Sequence, residues 1–197
     1  QSSHMVSLLL GMELMGVALY AMIAFPEKGE LPLEGAIKYL VLSACASAML
    51  LYGFALIYAA TGSLSYLGIG AGAAEAYVQN PMLIMAGTAM VLAGIGFKLS
   101  VAPFHMWTPD VYEGAPTPVT GFLATVSKGA VFVALTRFYI DGNLHQYSGL
   151  NTALVVLAIA SMLIGNWLAL RQENIKRLLA YSSIAHFGYL LIVLIAL

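Results

Sequence analysis

An all-α, polytopic transmembrane helix bundle, with one helix broken by proline, is the fold that three features of this sequence predict. Of its 197 residues, 61% are hydrophobic and only 9% charged, where a soluble domain is about 45–50% apolar and about 25% charged. Six apolar stretches are each long enough for the ~20 helical residues that cross a bilayer. Beginning inside one of them, the run GFKLSVAPFHMWTPDVYEGAPTPV, residues 96–119, places a lysine, a histidine and four prolines together.

The first span, 5–25, is apolar throughout except for Glu13 near its middle. The second, 34–60, carries Glu34 and Lys38 only in its first turns. The third opens on Pro81, a residue suited to the first helical turn, and runs to 102 with an extension to 113. The fourth, 118–140, has Lys128 one residue from its midpoint. The fifth and sixth, 150–170 and 178–197, are apolar to their ends. The chain starts without Met and stops in LLIVLIAL inside an apolar run, so it reads as a segment of a longer polypeptide. Ser-Ser-His-Met at 2–5 resembles a cloning remnant, yet leads smoothly into the first helix.

The connectors are 26–33, 61–80, 103–117, 141–149 and 171–177. Lys28 lies in the first and Arg171, Lys176 and Arg177 in the last, whereas 61–80 and 141–149 hold no Lys or Arg. By the positive-inside rule the first, third and fifth connectors face the cytoplasm, with Arg137 a mild exception. GIGAGAA at 68–74 matches a relaxed dinucleotide fingerprint, but no strand precedes it, so it reads as a flexible outer loop. Eight scattered Lys and Arg make no basic face for nucleic acid. A single cysteine, Cys45, excludes an intrachain disulfide and supplies no thiolate set for an iron–sulfur cluster.

Charges stand where the membrane disfavours them. A charged residue at the centre of a spanning helix costs roughly 2.5–3.5 kcal/mol on insertion scales, and Glu13 and Lys128 lie too deep to reach an interface about 15 Å away. Lys98 follows Pro81 by 17 steps, roughly 26 Å along a helix, which would put it near the far face. Pro103 changes this, because it has no N–H for the Leu99 carbonyl and its ring clashes there. The helix should therefore break close to Lys98 and resume as FHMWTPDVYEG, leaving Lys98 near the centre of a longer passage. Such a break is tolerated only where it is buried in protein or lines a hydrated cavity, and broken helices near the midplane recur in ion-coupled transporters.

A titratable set explains these charges better than a strut does. An ammonium and a carboxylate ~7 Å apart, at an effective dielectric of ~20, are coupled by about 2.4 kcal/mol, so neutralising Glu13 should release a proton from Lys98, with Lys128 as acceptor. A structural ion pair between Glu13 and Lys98 is the alternative. Lys38 sits four residues after Glu34, where an i to i+4 pair and snorkelling account for it equally well. His105 and His186 read as hydrogen-bonded interior groups rather than metal ligands, since no second ligand lies at metal spacing. Trp107, Tyr112 and Trp167 read as interface markers.

GFKLSVAPFHMWTPDVYEGAPTPV, then FLATVSK and NIKRLLAYSSIAHFGY, closely resemble the subunit N family of respiratory complex I, the proton-pumping NADH:quinone oxidoreductase, whose mitochondrial counterpart is called subunit 2. The resemblance covers essentially the whole chain. It implies an inverted-repeat antiporter-like fold of about fourteen helices with one broken helix per repeat. Glu13 matches the family's fifth-helix glutamate, Lys98 the broken-helix lysine and Lys128 the eighth-helix lysine, together the proton-translocating residues. Lys38 matches a sixth-helix lysine of less certain role; with His105 and His186, singled out by the residues themselves, it is a candidate accessory, and Pro103 is the helix break. Residues 1–140 then hold most of the first repeat (helices 5–8) and 141–197 the start of the second (helices 9 and 10). Helices 11 to 13 and their central lysine are missing, which makes unaided transport by this segment doubtful.

The resemblance further implies a multi-pass protein of the cell's inner (plasma) membrane, with no cofactor or metal in this chain. NAD, FMN, iron–sulfur clusters and quinone belong to partner subunits, and its own contacts are lipid and the other membrane subunits, with quinone only indirectly. Na+/H+ antiporter subunits of multisubunit (Mrp-type) complexes share parts of these motifs, but usually carry a histidine where this chain has Ala124 and an apolar residue where it has Lys128. Thr108 in WTPD and the extra Ala115 in EGAPTPV also favour subunit N. A spacer whose charges only pair helices is the third reading.

Overall fold

A computed structural model describes residues 3–25 and 30–196. Lys28, Ser2 of the Ser-Ser-His-Met stretch and Leu197 lie outside the described residues. Among these, six helical stretches are long and apolar enough to cross a membrane. In chain order the helices are α1 (Met5–Ala24), α2 (Glu30–Thr61), α3 (Tyr66–Gln79), α4 (Pro81–Leu99), α5 (Trp107–Gly114), α6 (Thr117–Phe122), α7 (Lys128–Asp141), α8 (Ser148–Ala169) and α9 (Ile175–Ile195). A π-helical turn, Leu123–Ser127, joins α6 to α7 in one 25-residue span, and a 3-10 turn, Leu144–Gln146, precedes α8.

Burial follows helical periodicity. On α1, Met5, Leu8, Met12, Gly16, Leu19 and Ile23 face the bundle, three or four residues apart as one helical face requires, while Leu10, Leu14 and Val17 face outward. Outward apolar side chains are what a lipid-facing surface presents.

The organising element is α2, whose 32 residues make a rod about 48 Å long. It runs antiparallel beside the whole passage formed by α4, the break and α5. Gly94 of α4 lets the two helices touch, since a Cβ there would lie 2.8 Å from the Ala46 carbonyl. Ser43 meets Lys98, Tyr39 packs on Phe97 and Trp107, and Lys38 meets Asp110. Lys98 is thus level with the middle of α2 although it stands one residue from the end of α4. The α8–α9 hairpin closes equally tightly: a Cβ on Gly188 would lie 2.8 Å from the Ala158 carbonyl.

Three expectations change. Residues 68–74 are no loop but part of α3, whose buried Tyr66, Ile69, Ala73 and Ala76 lie on one helical face and whose first turn is capped by the Ser65 hydroxyl accepting from Gly68 N–H at 3.1 Å. Its glycines serve close packing, since a Cβ on Gly70 would lie 2.8 Å from the Asp141 carbonyl. Trp107 and Tyr112 mark no interface but are 3% and 1% exposed, whereas Trp167 is exposed. The second helix starts at Glu30, so Lys38 sits two turns inside it rather than one.

The helix α4 ends a turn before Pro103. Ser100 adopts left-handed backbone, φ 61°, and the closing bonds run from Ser100 N–H to the Phe97 carbonyl and from Val101 N–H to the Gly96 carbonyl, both 3.0 Å, the pattern of a Schellman end. Beyond it, Ala102 N–H donates to Ser161 Oγ of α8 at 2.8 Å, and Trp107 Nε1 donates to the Phe97 carbonyl at 3.1 Å. The stop is therefore built from several bonds on both sides of the break. A structure of Pro103→Ala is expected to keep α4 ending at Leu99; a helix continuous through residue 104 would assign the stop to the proline alone.

Candidate functional site

Three charged side chains stand at mid-depth, each held by a hydroxyl. Glu13, from the buried stripe's edge on α1, accepts from Ser47 Oγ of α2. Lys98, its side chain 2% exposed, donates to Ser43 Oγ at 2.6 Å, and its Nζ is 3.9 Å from Glu13 Oε1. At that separation, with an effective dielectric of about 20, the Coulomb coupling is about 4 kcal/mol, an upper figure because the Glu13 side chain is 40% exposed.

Lys128 follows the π-helical turn. A π turn inserts one extra residue into the helical register, and the lysine it precedes points inward at 1% exposure. Its ammonium donates to Ser183 Oγ of α9 at 3.0 Å and lies 5.2 Å, 5.4 Å and 5.9 Å from the ring centroids of Tyr112, Phe187 and Trp107. Ring faces attract cations at such distances. No carboxylate of a described residue pairs with it. The Trp107 ring, 5.9 Å from the Lys128 ammonium, lies 5.2 Å from the ring of Phe97, which precedes Lys98 in sequence.

Around the break lie buried polar atoms without a protein hydrogen-bond partner among the described residues: Ser100 Oγ, both ring nitrogens of His105, Thr108 Oγ1 and the Tyr112 hydroxyl. His186, expected as a hydrogen-bonded interior group, is instead exposed on α9, its Nδ1 2.8 Å from the Ser182 carbonyl, and it contacts none of Glu13, Lys98 and Lys128. No group of three His, Cys, Asp or Glu among the described residues could hold a metal.

A second charged group lies toward the end of the bundle where α2 and α9 begin. Lys38 bridges Glu34 at 2.6 Å and Asp110 at 2.7 Å. Arg177 of α9 bridges Asp110 at 2.8 Å and Glu113 at 2.9 Å, and Lys176 donates to the Ala115 carbonyl at 2.7 Å. Asp110 thus joins α2, α5 and α9, so Lys38 does more than snorkel.

Sequence reasoning passed over Ser43, Ser47, Ser183 and Asp110. The first two carry a signal, two hydroxyls four residues apart in LVLSACASAML and hence on one helix face. Ser183 is one of two adjacent serines in AYSSIAH, and only packing distinguishes them.

Known proteins resemble this chain over nearly its whole length. A subunit N of NADH-quinone oxidoreductase from Nitrosospira multiformis is 51% identical over 191 residues, 97% of this chain and 38% of that protein. A chain of respiratory complex I from Thermus thermophilus, solved with bound aureothin, superposes with a TM-score of 0.81 at 41% identity over 98% of this chain and 40% of that one. A chain of an archaeal membrane-bound sulfane sulfur reductase gives a TM-score of 0.86 at 30% identity, covering 98% and 39%. A chain of the Mrp complex from Dietzia shares the fold, with a TM-score of 0.84 at 24% identity over 98% and 36%. The chain spans about two fifths of the length of these relatives. Residues 2–197 match the family model described as NADH:quinone oxidoreductase/Mrp antiporter, TM, and the chain belongs to that family.

Proposed function

We propose that this chain is a stretch of a proton-translocating membrane subunit of an NADH:quinone oxidoreductase of the complex I type, and that Glu13, Lys98 and Lys128 carry the proton across its centre. The observation that carries the reading is the Glu13–Lys98 pair, 3.9 Å apart at the interruption between α4 and α5. A carboxylate and an amine at membrane depth are costly for a structural link, and a broken helix frees polar backbone where an ion path needs it.

The proton enters the set at Lys98, whose charge Glu13 stabilises, and is passed to Lys128, which is held by rings and a hydroxyl. A site with no opposing carboxylate suits an amine that must gain and lose its charge, because no fixed anion locks the ammonium in place. The polar atoms of Ser100, His105, Thr108 and Tyr112 that lack protein partners suit bridging water between the two, since buried polar groups are satisfied by protein or by water. Residues 1–140 act as most of one repeat and 141–197 as the start of the next. Redox chemistry on NAD, FMN, iron–sulfur clusters and quinone resides in partner subunits, and the chain sits among other membrane subunits in the cell's inner membrane. The identities of 51% and 41% to complex I subunits, against 24% to the Mrp chain, favour this reading over an Na+/H+ antiporter subunit.

Two measurements test it, both in the full-length subunit within the assembled complex, reconstituted in proteoliposomes. Glu13→Gln removes the charge opposite Lys98 and is expected to lower quinone-coupled proton pumping at least about tenfold, the effect of one pKa unit of lost coupling; pumping at the wild-type rate overturns the reading. For Lys128, Met deletes the titrating amine while Arg keeps a charge that does not release its proton. Both variants are expected to assemble and to lose pumping by a similar factor. Full activity in Lys128→Arg would mean that a fixed positive charge suffices and that Lys128 is no relay.

A further inference from the structure

Neither Glu13 nor Lys98 has the other as its nearest partner. Lys98 Nζ is 2.6 Å from Ser43 Oγ but 3.9 Å from Glu13 Oε1, and that same carboxylate oxygen accepts from Ser47. A charge-assisted N–H to carboxylate bond normally closes to about 2.7–2.9 Å. Here a neutral hydroxyl occupies each charge instead. Ser43 and Ser47 are one turn apart, so both come from the same face of α2, and Ser43 is fully buried. From α1 the Tyr20 hydroxyl faces Ser43. Lys98 Nζ lies close against α1, since an added Cβ on Gly16, one turn after Glu13, would stand 3.9 Å from it.

We propose that Ser43 and Ser47 are positioning residues that hold the Glu13–Lys98 pair open, so that Lys98 gives up its proton without first breaking a contact ion pair. The inference rests on the translocation reading of that pair and adds to it what sets the separation. Removing Ser43 leaves the ammonium one strong acceptor, Glu13, and the pair closes. Removing Ser47 frees the carboxylate oxygen to take the ammonium directly. In either case the proton on Lys98 is held more tightly and pumping slows.

The test uses the full-length subunit in the assembled complex. Ser43→Ala and Ser43→Cys, the second of nearly unchanged volume but a poor hydrogen-bonding partner, are expected to slow pumping about tenfold, the change that one pKa unit of added coupling brings. Ser47→Ala is expected to slow it in the same direction, and Ser43→Thr, which restores the hydroxyl, to recover most of the rate. Glu13→Gln and Lys98→Met are measured beside them. Wild-type pumping in both Ser43→Ala and Ser43→Cys, with the Glu13 and Lys98 variants impaired, overturns the serine proposal alone. A Thr variant as slow as Ala, or Ala and Cys variants that fail to assemble while Thr assembles, makes Ser43 a packing residue and also overturns it. Unimpaired Glu13→Gln and Lys98→Met overturn the underlying reading of the pair instead.

Discussion

An ionised side chain at the centre of a bilayer has no water to turn to, and the arrangement of this bundle follows from supplying partners to three of them. Glu13 and Lys128 stand near the middle of their spans, and Lys98 is brought to the same level by ending its helix early. Each finds a serine hydroxyl on a neighbouring helix. A hydroxyl can accept from an ammonium and donate to a carboxylate, and it adds no charge of its own. The cost of burying these groups is thereby reduced without fixing them in one protonation state, as a tight carboxylate–lysine contact would.

The interruption of the third span is held from both sides. On the α4 side, left-handed Ser100 and two backbone bonds finish the helix. On the α5 side, the Trp107 indole reaches back to the Phe97 carbonyl, and Asp110 is gripped by Lys38 and Arg177 from two other helices. The aromatic stack of Tyr39, Phe97 and Trp107 fills the bend. The stop thus draws on contacts from α2, α8 and α9 as well as on its own backbone bonds.

The two lysines differ in their surroundings. Lys98 has a carboxylate within 3.9 Å, whereas Lys128 has three ring faces and one hydroxyl. Each ring face attracts a cation by about 0.5–2 kcal/mol. The environment of Lys128 therefore accommodates the ammonium through ring faces and one hydroxyl, without a carboxylate of a described residue beside it.

The bilayer-spanning character of the chain was determined by composition alone, because an apolar run of about 20 residues has few stable alternatives to a membrane helix. The depth of Glu13 and Lys128 was legible for the same reason, since position within a span converts directly into distance at 1.5 Å per residue. The Gly-rich helix α3 was obscured by glycines read as loop formers, although its buried residues repeat at helical spacing; close backbone approach to Asp141, visible only in three dimensions, is what uses them. The interior positions of Trp107 and Tyr112, the π turn before Lys128 and the ion pairs of Asp110 were likewise decided by tertiary structure. So was the choice of Ser183 over Ser182 as the partner of Lys128. Hydropathy reports how readily a segment leaves water, but which hydroxyl or ring meets a charge is set by where neighbouring helices cross, and that depends on packing between residues as far apart in sequence as Ser43 and Lys98.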